Sequence, residues 1–439
     1  MRLRPRLQSD LNGAVRLATD AVLGVTDVVE AAHQAVWTTL GIPAQVPGRT
    51  RYLTGRIYAA VRGITCLVGH GVARAVRPAT VPRGLGNPRQ GTPTLRAVLN
   101  GVVGDYLAAT ANPLATPMSL QVGGRPLVCE STMDAEGAPQ AFDVPEATSR
   151  IVLFVHGLCM DERAWGADTT AQREPDASSY PEVLVAQGYT PLRVRYNTGL
   201  PIADNGRRLA GLLGVLHARW PAPVDEIAVV AHSMGGLVVR SALHHADTLK
   251  GGTTMAWRRH LRRIVCLGTP HHGAPLERFG GWVDAMLGRS RFTAPYAMIG
   301  AMRSAGITDL RQGRVSDRAE PVALPPDVAW YAIAGALGDG GDQEVLRPRS
   351  WSLVGDGLVP VASALGDHRD ADLRLSLREH HRHIVSDTGH LALLRSPEVA
   401  ASLVRWLRPR GDSVNSQHAD DATMASSAKT HGLAEDVWR

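Results

Sequence analysis

The chain has 439 residues, of which 44% are hydrophobic and 20% charged, a balance that excludes a disordered or fibrous polymer and leaves room for two or three domains. Its formal net charge is +6, yet residues 1–125 hold 14 arginines against 5 acids, so the positive excess sits in that region. Cys66, Cys129, Cys159 and Cys266 form neither a CxxC pair nor a Cys/His zinc spacing; each reads as a small buried residue outside any disulfide framework.

Arg2, Arg4 and Arg6 open the chain as a signal-peptide n-region would, but Arg16, Asp20 and Asp27 break the apolar stretch a signal needs. A cytoplasmic location is therefore expected. Val15, Ala18, Val22, Val25, Val29 and Val36 recur at spacings of three, four and seven and predict an amphipathic helix over 14–40. A second follows over 52–76. Arg62, His70 and Arg74 interrupt it too often for a bilayer span. A third covers 95–107, after a proline- and glycine-rich connection over 77–93. Residues 1–120 thus read as a helical appendage. Its arginines fit either peripheral contact with an anionic membrane or a solvated basic face; a nucleic-acid partner is not expected.

From Leu127 the pattern changes. Short apolar runs at Ile151–Val155, Pro191–Tyr196, Ile227–Val230, Ile264–Leu267 and Trp330–Ala334 alternate with helical segments. Continuously apolar strands separated by helices specify an α/β domain, here 121–410, with a mostly parallel sheet covered on both faces. Residues 276–325 interrupt the alternation. Phe279, Trp282, Met286 and Leu287 fall there at helical spacings, flanked by Gly280, Gly281 and Gly288, which predicts a helical lid. The polar, aperiodic 411–439 reads as a disordered tail.

The most informative segment is Val229-Val230-Ala231-His232-Ser233-Met234-Gly235-Gly236-Leu237. An apolar strand runs into a sharp turn carrying a serine, and a helix leaves at once. Ala231 and Gly235, two positions either side of the serine, are small because strand and helix backbones nearly touch there. This is the nucleophile-elbow pattern with alanine in place of its first glycine. It presents the Ser233 hydroxyl at a helix N-terminus, where developing negative charge is favoured.

With that elbow, Val155-His156-Gly157-Leu158, Gly268-Thr269-Pro270-His271-His272-Gly273 and Asp356-Gly357-Leu358-Val359-Pro360 followed by Gly389-His390-Leu391 occur in order. Residues 127–410 thereby resemble the lipase branch of the α/β-hydrolase superfamily, including the GPI-inositol-deacylase-like serine hydrolases and bacterial triacylglycerol lipases. The resemblance implies an α/β-hydrolase fold with Ser233 as nucleophile, Asp356 as acid and His390 as base. It also implies an oxyanion hole made by the backbone N–H groups of Leu158 and Met234. Asp339 and Asp342 compete for the acid but read better as turn residues. Among His380, His381 and His383, His383 is the reserve base. The adjacent His271-His272 pair reads as a structural loop rather than a metal site, and His156 as a prop for its own loop. The implied reaction is hydrolysis of a carboxylic ester, expected to be lipidic, through an acyl-enzyme and with no cofactor or metal. Thioesterase or acyltransferase chemistry on the same fold is the nearest rival, and a non-catalytic binding module a more distant one.

Overall fold

The computed structural model describes residues 5–39, 49–50, 52–76, 95–129, 141–166, 179–248, 255–274, 304–318, 320–337 and 355–409. Three helices come first: α1 (Pro5–Thr39), α2 (Tyr52–Val76) and α3 (Leu95–Ala109). Eight strands follow, β1 (Ser119–Val122), β2 (Arg125–Cys129), β3 (Arg150–Val155), β4 (Thr190–Arg195), β5 (Glu226–His232), β6 (Leu261–Leu267), β7 (Ala329–Gly335) and β8 (Arg382–Val385). They form one sheet in the order β2-β1-β4-β3-β5-β6-β7-β8. The pairs from β4 to β8 are all parallel, while β1 runs antiparallel to both β2 and β4.

The longer helices that follow are α4 (Tyr180–Val185), α5 (Ile202–Arg219), α6 (Met234–Asp247), α7 (Ala305–Gln312) and α8 (Pro397–Trp406). They lie on both faces of the sheet, because successive side chains of a strand point to opposite faces. On β3, Ile151, Leu153 and Val155 enter the larger core with Leu209, Leu213 and Leu237 of α5 and α6. Val152 and Phe154 enter the second core with Leu184 of α4 and Val399 and Leu403 of α8. Every residue of β5 is buried, as a strand covered on both faces requires.

The expected boundary at residue 120 cuts through continuous structure. Val98 of α3 belongs to the main core, and the same helix closes against the sheet's upper loops. Asn197 donates its Nδ2–H to Gly104 O (2.8 Å), and Ser304 donates its hydroxyl to Gly101 O (2.7 Å). A Cβ on Gly101 would collide with Cys159, and one on Gly104 with Asn197. Helix α3 is thus part of the α/β domain, and α1 reaches it through Leu17, which packs with Leu99, Leu107 and Leu114.

The insertion over 276–325 needs a similar correction where it is described. Ser304 caps α7 by accepting from Ile307 N–H, while Ile307, Leu310 and Val315 are buried in the main core. Asp309 Oδ2 accepts from Ile202 N–H at 3.0 Å, tying α7 to the start of α5. That end is fixed core, not lid. Phe279, Trp282, Met286 and Leu287, like the 411–439 tail, lie outside the described residues. No helix among the described residues is long and apolar enough to cross a membrane. Of the cysteines, Cys159 and Cys266 are buried as expected and Cys66 is only half-buried on α2; all three are free thiols.

Candidate active site

Strand β5 ends at His232 and α6 begins at Met234, so Ser233 alone makes the turn. Its φ of 53° and ψ of −125° lie where a side-chain-bearing residue is strained. The turn is held from both sides. Ser233 N–H donates to Leu267 O of β6 at 2.9 Å. Across the turn, a Cβ on Gly235 would strike the carbonyl oxygens of Val155 and His156, and one on Gly236 would strike Thr269. This packing explains the small residues around the serine.

Asp356 and His390, 34 positions apart in sequence, meet beside this elbow. His390 Nδ1–H donates to Asp356 Oδ2 at 2.7 Å, and both side chains are almost fully buried. The second oxygen, Oδ1, accepts from Leu358 N–H (3.0 Å) and Val359 N–H (2.8 Å). Burial works against ionising Asp356. The charge and hydrogen bond of the His390 ring, with the two backbone N–H groups, outweigh it and hold the carboxyl below the ordinary aspartate range. The backbones are tied as well, since His390 N–H donates to Asp356 O at 2.9 Å. Gly268 completes the fit. With φ at +56°, a Cβ there would stand 3.0 Å from Asp356 Oδ2 and 3.1 Å from His390 Nδ1.

The remaining expected residues fall on the same rim. Met234 is the first residue of α6, so its N–H is among those a helix leaves without an internal acceptor. Leu158 is buried in the loop after β3, and its N–H meets no acceptor among the described residues. Gly157, between His156 and Leu158, lies against the elbow: a Cβ there would stand 2.9 Å from Ser233 Cβ and 3.0 Å from His232 Nδ1. His156 props this loop. Its Nδ1–H donates to Gly157 O (3.0 Å), its ring stacks on Tyr196 at 4.4 Å, and Tyr196 OH donates to its carbonyl at 2.7 Å. Burial lowers the His156 pKa, so the ring is neutral and acts as packing.

The alternatives sit elsewhere. His383 lies on β8, the last strand of the sheet, 3.9 Å from Glu398, and His381 bonds the Trp330 carbonyl. Neither joins the hydrogen bonds of Asp356. His271 is buried and turned to Arg240, whose Nη1–H donates to its carbonyl at 3.3 Å. Asp339 and Asp342 lie outside the described residues.

Sequence reasoning missed His232. Its Nε2–H donates to His390 O at 3.0 Å, and the two rings lie 4.6 Å apart. Burial, and next the neighbouring His390 ring, lower its pKa to about 3, so it is neutral. Position next to the serine was the only local signal. The partner it holds is 158 positions away.

A mostly parallel sheet with helices on both faces, a strained serine between strand and helix, and an Asp–His pair over the same sheet edge decide the architecture. The domain has the α/β-hydrolase fold. A family model described as the PGAP1-like alpha/beta domain matches residues 215–292; this segment of the hydrolase domain carries Ser233 and Met234 but neither Asp356 nor His390. Among solved structures, the domain is similar to the mature lipase BlEst2 of Bacillus licheniformis, at 20% identity over 62% of this chain and 97% of that one (TM-score 0.37). Similarity extends to a thermophilic esterase of Thermogutta terrifontis (16% identity, 60% and 90% coverage, TM-score 0.33). It extends also to the naproxen esterase of Bacillus subtilis (11% identity, 61% and 86% coverage, TM-score 0.33). A search of curated proteins gives no match to the sequence.

Proposed function

We propose that the hydrolase domain cleaves carboxylic esters by two-step acyl transfer, with Ser233 as nucleophile, His390 as base and Asp356 as the orienting acid. The observation that carries this reading is the buried 2.7 Å bond from His390 Nδ1 to Asp356 beside a strained, helix-starting serine. With Nδ1–H committed to the carboxylate, the lone pair on Nε2 is the one left to take a proton.

In the first step His390 Nε2 takes the Ser233 proton as Oγ attacks the ester carbonyl. The C=O electron pair moves to oxygen, and the N–H groups of Leu158 and Met234 stabilise that oxyanion. Collapse expels the alcohol, protonated by His390, and leaves an acyl-Ser233. Water then attacks the acyl carbon, giving its proton to His390, and the acid departs as Ser233 regains its hydrogen. Asp356 stays ionised throughout and keeps the imidazolium in its orientation. The substrate is a lipidic ester, a reading favoured by the apolar insertion residues and the basic helices.

A fluorophosphonate probe tests the nucleophile directly. The full chain should be labelled and Ser233→Ala should not be, with hydrolysis of p-nitrophenyl esters lost in parallel. Equal labelling of both proteins would remove Ser233 from the mechanism.

A further inference from the structure

Helices α1 and α2 pack on one another with the wrong side inward for a protein in water. Their shared seam is polar. Glu30 is 1% exposed and accepts from Thr50 N–H (3.0 Å), Thr50 Oγ1–H (2.8 Å), Arg49 Nη1–H (2.9 Å) and Arg62 Nη2–H. Asp27 joins it by pairing with Arg49 and Arg62. His33 and Tyr58 bond across the pair at 3.2 Å, and Thr26 and Gln34 are buried along it.

The apolar side chains lie outside. On α2, Ile57, Val61, Ile64, Val68 and Val72 recur at spacings of four, three, four and four, which is one stripe of a helix. All are exposed, as is Leu67 beside them at 74%. On α1, Val22, Val25 and Val29 make a second exposed stripe. A helix hairpin stable in water turns such stripes toward each other and its charges outward. Here the arrangement is inverted, so its outer surface must meet something other than water.

Charge selects the occupant. Helix α2 carries Arg56, Arg62 and Arg74 and no acid. Arg62 is neutralised in the seam, which leaves Arg56 and Arg74 exposed next to the apolar stripe. A second copy would bring these like charges together, whereas an anionic lipid headgroup layer pairs with them. We infer that the α1–α2 hairpin docks the chain on an anionic phospholipid surface. Since neither helix is long and apolar enough to cross, the hairpin lies in the interface. The valine, isoleucine and leucine side chains enter the acyl boundary while the arginines stay at headgroup level. The inference is independent of the ester chemistry, and would place the active site beside lipidic substrate.

The test is sedimentation of the full chain with vesicles of phosphatidylcholine alone, or of phosphatidylcholine mixed with phosphatidylglycerol. Binding is expected to the mixed vesicles, falling as salt rises. Ile64→Asp with Leu67→Asp should weaken it roughly a hundredfold or more, because two side chains lose their apolar partition. Arg56→Gln with Arg74→Gln should cost about 25-fold, from about fivefold per surface arginine. All variants should keep wild-type melting temperatures and turnover of a short soluble ester. Failure of the full chain to bind mixed vesicles would overturn the proposal, as would unaltered binding by the Ile64/Leu67 variant. Indifference to the arginine substitutions would exclude a charged surface. A dimer in solution that the Ile64/Leu67 variant dissociates, without vesicle binding, would assign the face to a second copy.

Discussion

Alanine at Gly157 tests the contact between the proposed oxyanion loop and the elbow with a single methyl group. The backbone there is outside the left-handed region, so the substitution adds bulk without backbone strain. The new Cβ would stand 2.9 Å from Ser233 Cβ and 3.0 Å from His232 Nδ1. Carbon atoms pack best at about 3.5–4.0 Å, so loop and elbow must separate by roughly 0.6–1 Å. Neither side yields easily: Ser233 N–H is bonded to β6, and the His156 carbonyl is held by Tyr196. Overpacking of this kind costs about 1–3 kcal/mol of stability. Misplacing one oxyanion donor costs about 3–4 kcal/mol in the transition state, or about 10²–10³ in kcat. Turnover of a p-nitrophenyl ester should therefore collapse while the protein stays folded. Gly214→Ala on α5 is the control, since a Cβ there meets nothing within 4 Å; it should stabilise the helix by about 1 kcal/mol and leave kcat alone. A Gly157→Ala enzyme with near-normal kcat and an unchanged melting temperature would refute the juxtaposition of Gly157 with Ser233.

Three further substitutions separate the proposed acid from the proposed base. His390→Ala should lose most of kcat, whereas His383→Ala, on β8, should turn over ester at close to the wild-type rate; the reverse result in a p-nitrophenyl ester assay would move the base to His383. Asp356→Asn should lower kcat and also stability, and the stability loss has a defined pH window. The carboxyl of Asp356 lies below the ordinary aspartate range in the fold, so its ionisation stabilises the folded state above the unfolded pKa of about 3.9. That contribution is lost as pH falls through the lower folded value. Melting curves of the two proteins should differ by a constant amount from neutral pH down to about 5 and converge in more acid solution.

Strands β3, β5, β6 and β7 were legible because each carries a continuous apolar run, and β4 because buried Leu192 and Val194 alternate with Arg193 and Arg195; the structure places all five within a few residues of the expected limits. The β1–β2 hairpin was passed over. Its Gly123-Gly124 turn, with both residues at positive φ, is the local signal that could have found it. Ser233, Asp356, His390 and the loop of Leu158 were named from motif and chain order, and the structure brings them to one sheet edge. His232 was not, since its bond to His390 joins segments that only the folded sheet makes neighbours. The first two helices show a different limit. Their valine period marks a stripe, but periodicity does not say what covers it. The polar seam of Glu30, Arg49 and Arg62 turns that stripe outward.

His390 is tethered at three points: Asp356 Oδ2 takes its Nδ1–H, Asp356 O takes its backbone N–H, and His232 Nε2–H holds its carbonyl. The first fixes ring orientation, while the other two fix the backbone from which the ring swings. Because His232 also abuts Gly157, one side chain sets the spacing between His390 and the loop of Leu158. His232→Phe removes the donor and keeps an aromatic ring, so the base loop is released at one of its three points. A displacement of about 1 Å at a reacting group costs on the order of 10² in rate. That loss should appear in kcat, with KM little changed, because His232 acts on the His390 backbone. His232→Gln carries an amide N–H that can reach the same carbonyl, and should recover much of the rate. As His232 is neutral down to a pKa of about 3, the ratio of wild-type to His232→Phe kcat should not vary between pH 6 and 8. If His232→Phe and His232→Gln are equally impaired, or if the loss falls on KM, then His232 serves only as packing beneath the elbow.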